Sequence, residues 1–509
     1  MKRLYAATGF MLILALATQS KAAPAPRRIN MASTDKNTRE IFQQSMDLDA
    51  QLWDNNVKLV HRPGSRSGDR REGGYMVRES SWYALGLLLR DSPGDRQRAT
   101  DILDAVLKQQ YVTPGVKWYG TYKRTPEEPD PSTNPVIWRG YDPNWRHFIG
   151  TTFAMILIEF PDRIPAELST RMYEAIDRAI NGEMKEGRLV PSYSNIALMY
   201  GFLWDFAAVH DKRDDWKKQS SDWTEAVYSL FKKYNAFYEY NSPTYYGVDL
   251  YGLALWRDYG STSRIQKIGG EMEATLWNDI ASFYNPLLRN ISGPYDRSYG
   301  MDMESYVSVV GVWMRTALDA KTAPLPPISP TTDHVPHVWF APHLAILGTR
   351  IPPDALAKMK TFEGDHLLHK QITEERVATA WIGRDVIFGG ESTNKTKDAG
   401  TTTQFHPATV QWRTPSGQIG WIRLVQSPMI DASADKQGLT ISATGTIRLR
   451  LHAKQMASDK ITEREWSLPG LQVSVISDAK GFTTEPTEDG MDLIYSDMTS
   501  MKLGIKTVH

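Results

Sequence analysis

The stretch Tyr238-Glu239-Tyr240-Asn241-Ser242-Pro243-Thr244-Tyr245-Tyr246-Gly247-Val248-Asp249 carries a pattern that recurs along the chain. Ser242 is a good helix N-cap, and Pro243 suits the first helical position. The stretch therefore reads as a loop feeding a helix that continues through Leu250, Leu253 and Leu255. Asn241, Tyr245 and Tyr246 fall in the first turn or just before it. Backbone N–H groups are unpaired at such a position and the helix dipole is positive, so an anion can be held there. The same residues would also serve as plain capping and packing groups.

On either side, from Tyr75 to about Ala320, apolar residues recur at three-and-four spacing, which marks helices. The expected helices span 76–90, 95–110, 144–160, 165–184, 192–210, 214–234, 244–258, 265–283 and 301–318, after a first one within 35–60. Short loops join them in antiparallel pairs. Alternate helices open on Tyr, Asn, Arg or His. The openings are Tyr75/Arg78, Asp142-Pro143-Asn144-Trp145-Arg146-His147, Pro191-Ser192-Tyr193-Ser194-Asn195, Asn241-Ser242-Pro243 and Pro294-Tyr295-Asp296-Arg297-Ser298-Tyr299. They recur every ~50–70 residues, about one hairpin per step. If the hairpins close into a ring, these starts converge on one mouth.

Residues 321–335 are Pro-rich and read as a linker. One more short helix is expected at 354–362. After it the period changes to two. Strands are expected at 377–382, 385–388, 409–413, 419–424, 438–443, 446–451 and 471–476, with two more at 492–495 and 502–505. Short strands at this spacing suggest an antiparallel sandwich. The fold class expected is thus α+β and multidomain. An N-terminal incomplete (α/α) toroid of helical hairpins occupies 35–320, and a C-terminal antiparallel β-sandwich occupies 336–509.

The first 22 residues read as an export signal. Lys2 and Arg3 precede the apolar run 11–17, and Ser20-Lys21-Ala22 fits the cleavage rule. A retained N-terminal anchor is the alternative, although the run is too short to span a bilayer. A secreted or periplasmic chain is expected, with no membrane contact once the signal is removed and a disordered lead over 23–34. There is no cysteine among the 509 residues, which excludes disulfides and cysteine-ligated zinc. Lys plus Arg and Asp plus Glu each number 59, so no basic excess points to nucleic acid. Any attraction to an acidic ligand must come from a local patch. The basic loop 61–71 reads as a solvated loop or, less simply, an anion-binding lid.

Four constellations carry candidate chemistry. The first is the polar set at the ring mouth: Arg78, Trp145, Arg146, His147, Asn241, Tyr245, Tyr246, Arg297 and Tyr299. β-Elimination of a uronic acid needs these residue types. Asn or Arg donors neutralise the carboxylate and so acidify the neighbouring C5 proton; His or Tyr removes that proton; Tyr gives one to the leaving oxygen. Each also has a structural reading: a hydrogen-bonded histidine, packed tyrosines. The second set is carboxylates: Asp142, Glu239, Asp249, Asp296, Asp302 and Glu304. An inverting glycoside hydrolase would use a pair of these. The third is His334, His337 and His343, with His366 and His369 on one face of a helix. Pro336, Pro342 and the lack of a suitable Glu favour structural roles over zinc. The fourth is His406, after the polar loop 389–403, which could reach over the mouth. No dinucleotide, phosphate-loop or GxSxG motif is present, so no cofactor is expected.

This layout resembles the toroid-plus-sandwich polysaccharide lyases, which include the chondroitin AC/hyaluronate lyases, heparinase II-type enzymes and related alginate lyases. The resemblance implies an exported lyase acting on an acidic, uronate-containing polysaccharide. An Asn neutralises the uronate, His and/or Tyr is the base, and Tyr is the acid. Asn241 with Tyr245 or Tyr246, and His147, match that set in type, with Tyr299 as a further acid. Arg78, Arg146, Arg297, Trp145 and His406 would bind substrate. The hydrolase and a glycan-binding scaffold remain the competing expectations.

Overall fold

The computed structural model describes residues 26–63, 74–400, 404–488 and 490–508. The expected export signal and most of the basic loop 61–71 lie outside them.

The helical half comprises α1 (Lys36–Leu52), α2 (Val77–Arg90), α3 (Asp95–Leu107), α4 (Trp145–Glu159), α5 (Ala166–Glu186), α6 (Ser194–His210), α7 (Asp214–Lys232), α8 (Tyr245–Tyr259), α9 (Ser263–Phe283), α10 (Val309–Ala317), α11 (Ala341–Leu347) and α12 (Pro353–Lys360). Three small strands, β1 (Trp53–Asp54), β2 (Leu59–His61) and β3 (Tyr75–Met76), pair ahead of α2, and β4 (Tyr284–Asn285) pairs with β5 (Asn290–Ile291). Composition sorts the helices into two layers. Helices α4 and α6 are buried all round, whereas α5 and α7 bury one stripe and leave the rest wet. The first kind must be enclosed and the second must face solvent. Accordingly α2, α4, α6, α8 and α10 pack in succession as an inner ring, with α3, α5, α7 and α9 outside them. Helix α1 packs against both α10 and α2 and fills the gap between the first and last units. Two glycines allow close approach: a Cβ at Gly247 would meet Val309 at 2.5 Å, and one at Gly252 would meet Leu198 at 2.6 Å.

The helical half extends past the expected boundary at 335. Residues Val335–Phe340 form a 3-10 turn that runs into α11, and α11 is buried against α1, α2 and α8. His343 is sealed there, 3.0 Å from Thr152 Oγ1. Pro336 and Pro342 read as helix breakers, but each sits at the start of its helical segment, where a missing N–H costs nothing. Conversely, the helix expected to start at 301 begins at Val309. The preceding residues form turns, with Asp302 Oδ1 accepting from the Glu304 N–H.

The C-terminal half contains β6 (His366–Gln371), β7 (Val377–Ile382), β8 (Val386–Ser392), β9 (Ala408–Arg413), β10 (Ile419–Gln426), β11 (Asp431–Asp435), β12 (Gly438–His452), β13 (Glu465–Leu468), β14 (Leu471–Ser477), β15 (Gly481–Thr487) and β16 (Gly490–Thr507). The eleven pair antiparallel in the order β13-β14-β16-β12-β10-β9-β8-β7-β6, with β11 joining β12 and β8, and β15 on β16. Because β11 bridges β12 back to β8, the sheet folds over and encloses its own apolar core. The expected strand pairs 438–443 with 446–451, and 492–495 with 502–505, are each one long bulged strand. His366 and His369 lie on strand β6, where a spacing of three puts them on opposite faces, so the shared helical face does not exist. The sandwich docks on the ring through β7–β9. Ala380, Ile382 and Ile387 join the helical core, and Gln411 Nε2 donates to the Tyr295 hydroxyl at 2.6 Å.

The lead over 23–34 was expected to be disordered, yet its described part is anchored at the far end of the ring. Arg27 donates to Asp258 at 2.6 Å and to the carbonyls of Ile346 and Leu347 at 2.8 Å, while its backbone N–H reaches Glu159. Those carbonyls end α11, so the arginine satisfies helix-terminal acceptors that composition alone does not reveal. Arg27→Ala is expected to lower unfolding free energy by about 2 kcal/mol, the loss of hydrogen bonds to a charged donor. Urea denaturation would check it; no change in midpoint would mean the anchor is ornamental. Among the described residues no helix is long and apolar enough to cross a membrane.

Candidate active site

The inner helices all begin at one end of the ring, and a cleft of about 640 Å³ opens there. Met76, Arg78, Glu79 and Trp82 from α2 and its entry line it, as do Asn144, Trp145 and Phe148 from α4, Tyr193 and Asn195 from α6, and Tyr245 and Val248 from α8. The loop 294–300 adds Arg297 and Tyr299, and the segment entering α11 adds His334 and His337. Gln404 comes from the sandwich.

Polar groups here form one connected set. Asn195 Nδ2 donates to Glu239 Oε2 at 2.5 Å, and Arg297 Nη1 donates to Glu239 Oε1 at 2.7 Å. Arg297 Nη2 donates to the Tyr245 hydroxyl at 2.7 Å, which is itself 2.7 Å from the Tyr299 hydroxyl. The Arg297 guanidinium also lies over the Tyr245 ring, 3.8 Å from its centroid. The Tyr299 ring stacks on His334 at 4.6 Å, and His334 stacks on His337 at 5.3 Å. His337 Nδ1 is 2.8 Å from the Val307 carbonyl. A carbonyl only accepts, so Nδ1 carries the hydrogen. Burial, with His334 next to it, holds the imidazole pKa down to about 3. At neutral pH the ring is uncharged, and Nε2 is left with its lone pair.

Tyr245 is the opposite case. Burial raises its phenol well above the usual value, Tyr299 adds to this, and Arg297 opposes it. It keeps its proton at neutral pH and can donate it. Asn144 has a fixed orientation too. Arg188, which can only donate, reaches its Oδ1 at 2.7 Å, so the amide nitrogen is the other atom, 3.0 Å from the Tyr193 hydroxyl. That nitrogen has a second hydrogen. Arg78 lies among the rings of Trp82, Trp145 and Phe148, about 5 Å from each centroid, and pairs with Glu79.

Five of the ten residues singled out from sequence line the cleft: Arg78, Trp145, Tyr245, Arg297 and Tyr299. The other five lie behind its wall. His147 is fully buried, 3.0 Å from Glu183. Arg146 is fully buried between Glu183 and Glu186 and donates to the carbonyls of Lys117 and Tyr119. Both face α5 because successive residues on a helix point about 100° apart, and Asn144 and Trp145 take the cleft side. Asn241 adopts φ 48°, a left-handed conformation that asparagine tolerates, and its amide donates to the carbonyls of Ser292 and Pro294. Tyr246 is one step round α8 from Tyr245 and meets Asp279 at 3.3 Å. His406 is buried at the junction with the sandwich, 3.3 Å from Arg423. Gln404, two residues before it, lines the cleft instead. Ser242 Oγ accepts from the Tyr245 N–H at 3.0 Å, but the helix starts at Tyr245, two residues after Pro243, with Thr244 rather than Ser242 in the cap position.

Of the carboxylates considered for hydrolysis, Asp142 lines the cleft and accepts from the Asn144 N–H at 3.0 Å. Glu239 stands behind Arg297 with both oxygens engaged, and Asp302 is not among the cleft residues. His337 and Asn144 were not singled out as site residues. The signal for His337 was its place three residues after His334, which read as a broken metal cluster. Among the described residues no three His, Cys, Asp or Glu groups gather as a metal site.

A family model described as "Domain of unknown function (DUF8769)" matches residues 39–349. The chain belongs to this family. In this DUF8769 chain a second model, "Domain of unknown function (DUF8770)", matches residues 360–487, so the junction between the two falls just before β6. No curated protein matches the sequence. Among solved structures the DUF8769 chain is similar to a heparinase III, with 9% identity over 96% of this chain and 88% of that one and a TM-score of 0.44. It is also similar to the Streptomyces coelicolor A3 chondroitin AC lyase in complex with chondroitin sulphate, with 9% identity over 93% and 78% and a TM-score of 0.41.

Proposed function

We propose that the protein is an exported lyase that cleaves a uronate-containing polysaccharide by β-elimination. One observation carries the reading: an uncharged histidine with a free Nε2 lone pair and a protonated tyrosine share one cleft on either side of Tyr299. Elimination requires one group able to take a proton and another able to give one, and these two hold those states at neutral pH.

In the proposed step, His337 Nε2 takes the C5 proton of the uronate. Asn144 Nδ2–H and Arg78 bind the carboxylate and stabilise the charge that spreads onto it. The electron pair forms the C4–C5 double bond as the C4–O4 bond breaks. Tyr245 gives its hydroxyl proton to the leaving O4. One proton leaves the sugar and one joins the leaving chain. The rings of Trp82 and Trp145 pack around the Arg78 guanidinium and hold it in place. Export rests on the N-terminal charge and apolar pattern.

The test is a panel of uronic-acid polymers incubated with the full chain. Elimination leaves a conjugated unsaturated uronate that absorbs in the ultraviolet; hydrolysis does not. Rising absorbance together with new chain ends is the expected outcome. Reducing ends released without absorbance would point to hydrolysis, and binding without either would leave a glycan-binding protein. On an active polymer, kcat/KM should stay flat between about pH 5 and 7, because a base with a pKa of about 3 in the free protein remains unprotonated throughout. An acid limb near pH 6 would remove His337 from the role of base.

A further inference from the structure

The guanidinium of Arg297 is a rigid plane of five N–H donors, and three acceptors divide it. Nη1 donates to Glu239 at 2.7 Å, Nη2 to Tyr245 at 2.7 Å, and Nε to Gln404 Oε1 at 3.1 Å. A carboxylate is best served by two parallel N–H bonds from one guanidinium. Glu239 receives only one, and its second oxygen is taken by Asn195. Without the tether at Nε, the arginine would be drawn further onto Glu239 and Nη2 would leave the phenol. Gln404 supplies that tether from the sandwich. The Ser298 N–H donates to the Gln404 carbonyl at 3.0 Å, and Tyr295 and His406 exchange two backbone hydrogen bonds of 3.0 and 2.8 Å. Arg376 spans Asp296 and Glu391, each at 2.7 Å, and Lys397 also pairs with Asp296. The sandwich therefore grips the chain on both sides of Arg297.

We propose that Gln404 is a positioning residue: through it the sandwich holds the Arg297 guanidinium against Tyr245 and completes the site. The kinetic consequence rests on the elimination reading above; the structural consequence does not.

The experiment compares Gln404→Leu and Gln404→Glu in the full chain, by steady-state kinetics on a uronate polymer and by crystal structures of both variants. In Gln404→Leu, kcat should fall about tenfold with KM held within about twofold, since a group acting on the leaving-oxygen proton is displaced. Its crystal structure should show Nη2 turned from Tyr245 towards Glu239. Gln404→Glu keeps an acceptor at Nε, so its crystal structure should show the guanidinium still held off Glu239, while the added negative charge raises KM for an anionic polymer. A residue that merely fills space would not split kcat from KM in this way. An unmoved Arg297 in Gln404→Leu, or a guanidinium drawn onto Glu239 in Gln404→Glu, would overturn the proposal. If the wild type makes no unsaturated product on any polymer, the elimination reading fails, and the position of Arg297 in the two structures alone decides the role of Gln404. Gln404→Ala replaces the leucine variant, with the same expectations, should the latter not fold.

Discussion

Tyr245→Phe is expected to lower kcat for unsaturated-product formation by about a thousandfold, within the range for loss of a positioned acid–base group. The change removes one oxygen and keeps the ring, so the contact of Arg297 with the ring face remains. What is lost is the atom that accepts from Arg297 Nη2, meets the Tyr299 hydroxyl, and serves as acid in the proposed elimination. KM should move little, because the hydroxyl acts mainly in the transition state. The neighbour supplies the control. Tyr246→Phe removes a hydroxyl that touches Asp279 on the far side of α8, and should leave kcat within about twofold. Stopped assays of both variants on one polymer decide between them. Equal losses would mean that α8, rather than the phenol, was being read.

Arg146→Ala should act on the fold instead. Arg146 looks like a carboxylate-binding arginine in sequence, but its guanidinium sits fully buried between Glu183 and Glu186. Burial would raise the Glu183 carboxyl, yet His147, Arg188 and Arg146 outweigh it and hold its pKa down to about 2. Deleting Arg146 leaves buried carboxylates short of a partner, along with two orphaned carbonyls. The expected cost is about 3–5 kcal/mol, typical of breaking a buried pair from one side. Arg146→Lys should recover little, because one ammonium cannot reach both glutamates and two carbonyls. Chemical denaturation gives the measurement. A variant of unchanged stability that had lost activity would return Arg146 to the list of substrate ligands.

These two residues show where sequence reasoning stopped. Tyr245 and Arg146 occupy equivalent places, each in the first turn of an inner helix and each in a polar cluster. The period of the helix says that neighbours diverge by about 100°, but not which of them faces the mouth. That choice depends on what packs outside: α5 brings Glu183 and Glu186 to Arg146, and α9 brings Asp279 to Tyr246. His337 failed for another reason. The prolines within 321–335 made that stretch read as linker and put His337 at the start of the sandwich, whereas the buried partners of α11 are distributed over α1, α2 and α8 and are invisible to a local pattern.

The sequence by itself determined the two architectures and the recurrence of polar starts on alternate helices, because these follow from periodicities of 3.6 and 2 acting locally. Only the tertiary structure decided which side chains meet in the cleft, that the lead residue Arg27 is an anchor, and that the sandwich contributes Gln404. Each of those depends on segments 100 or more residues apart closing on one another, as Arg27 does on Asp258 and Arg297 on Gln404. Burial and hydrogen-bond satisfaction across such distances are set by the assembled packing, and no stretch of the chain encodes them alone.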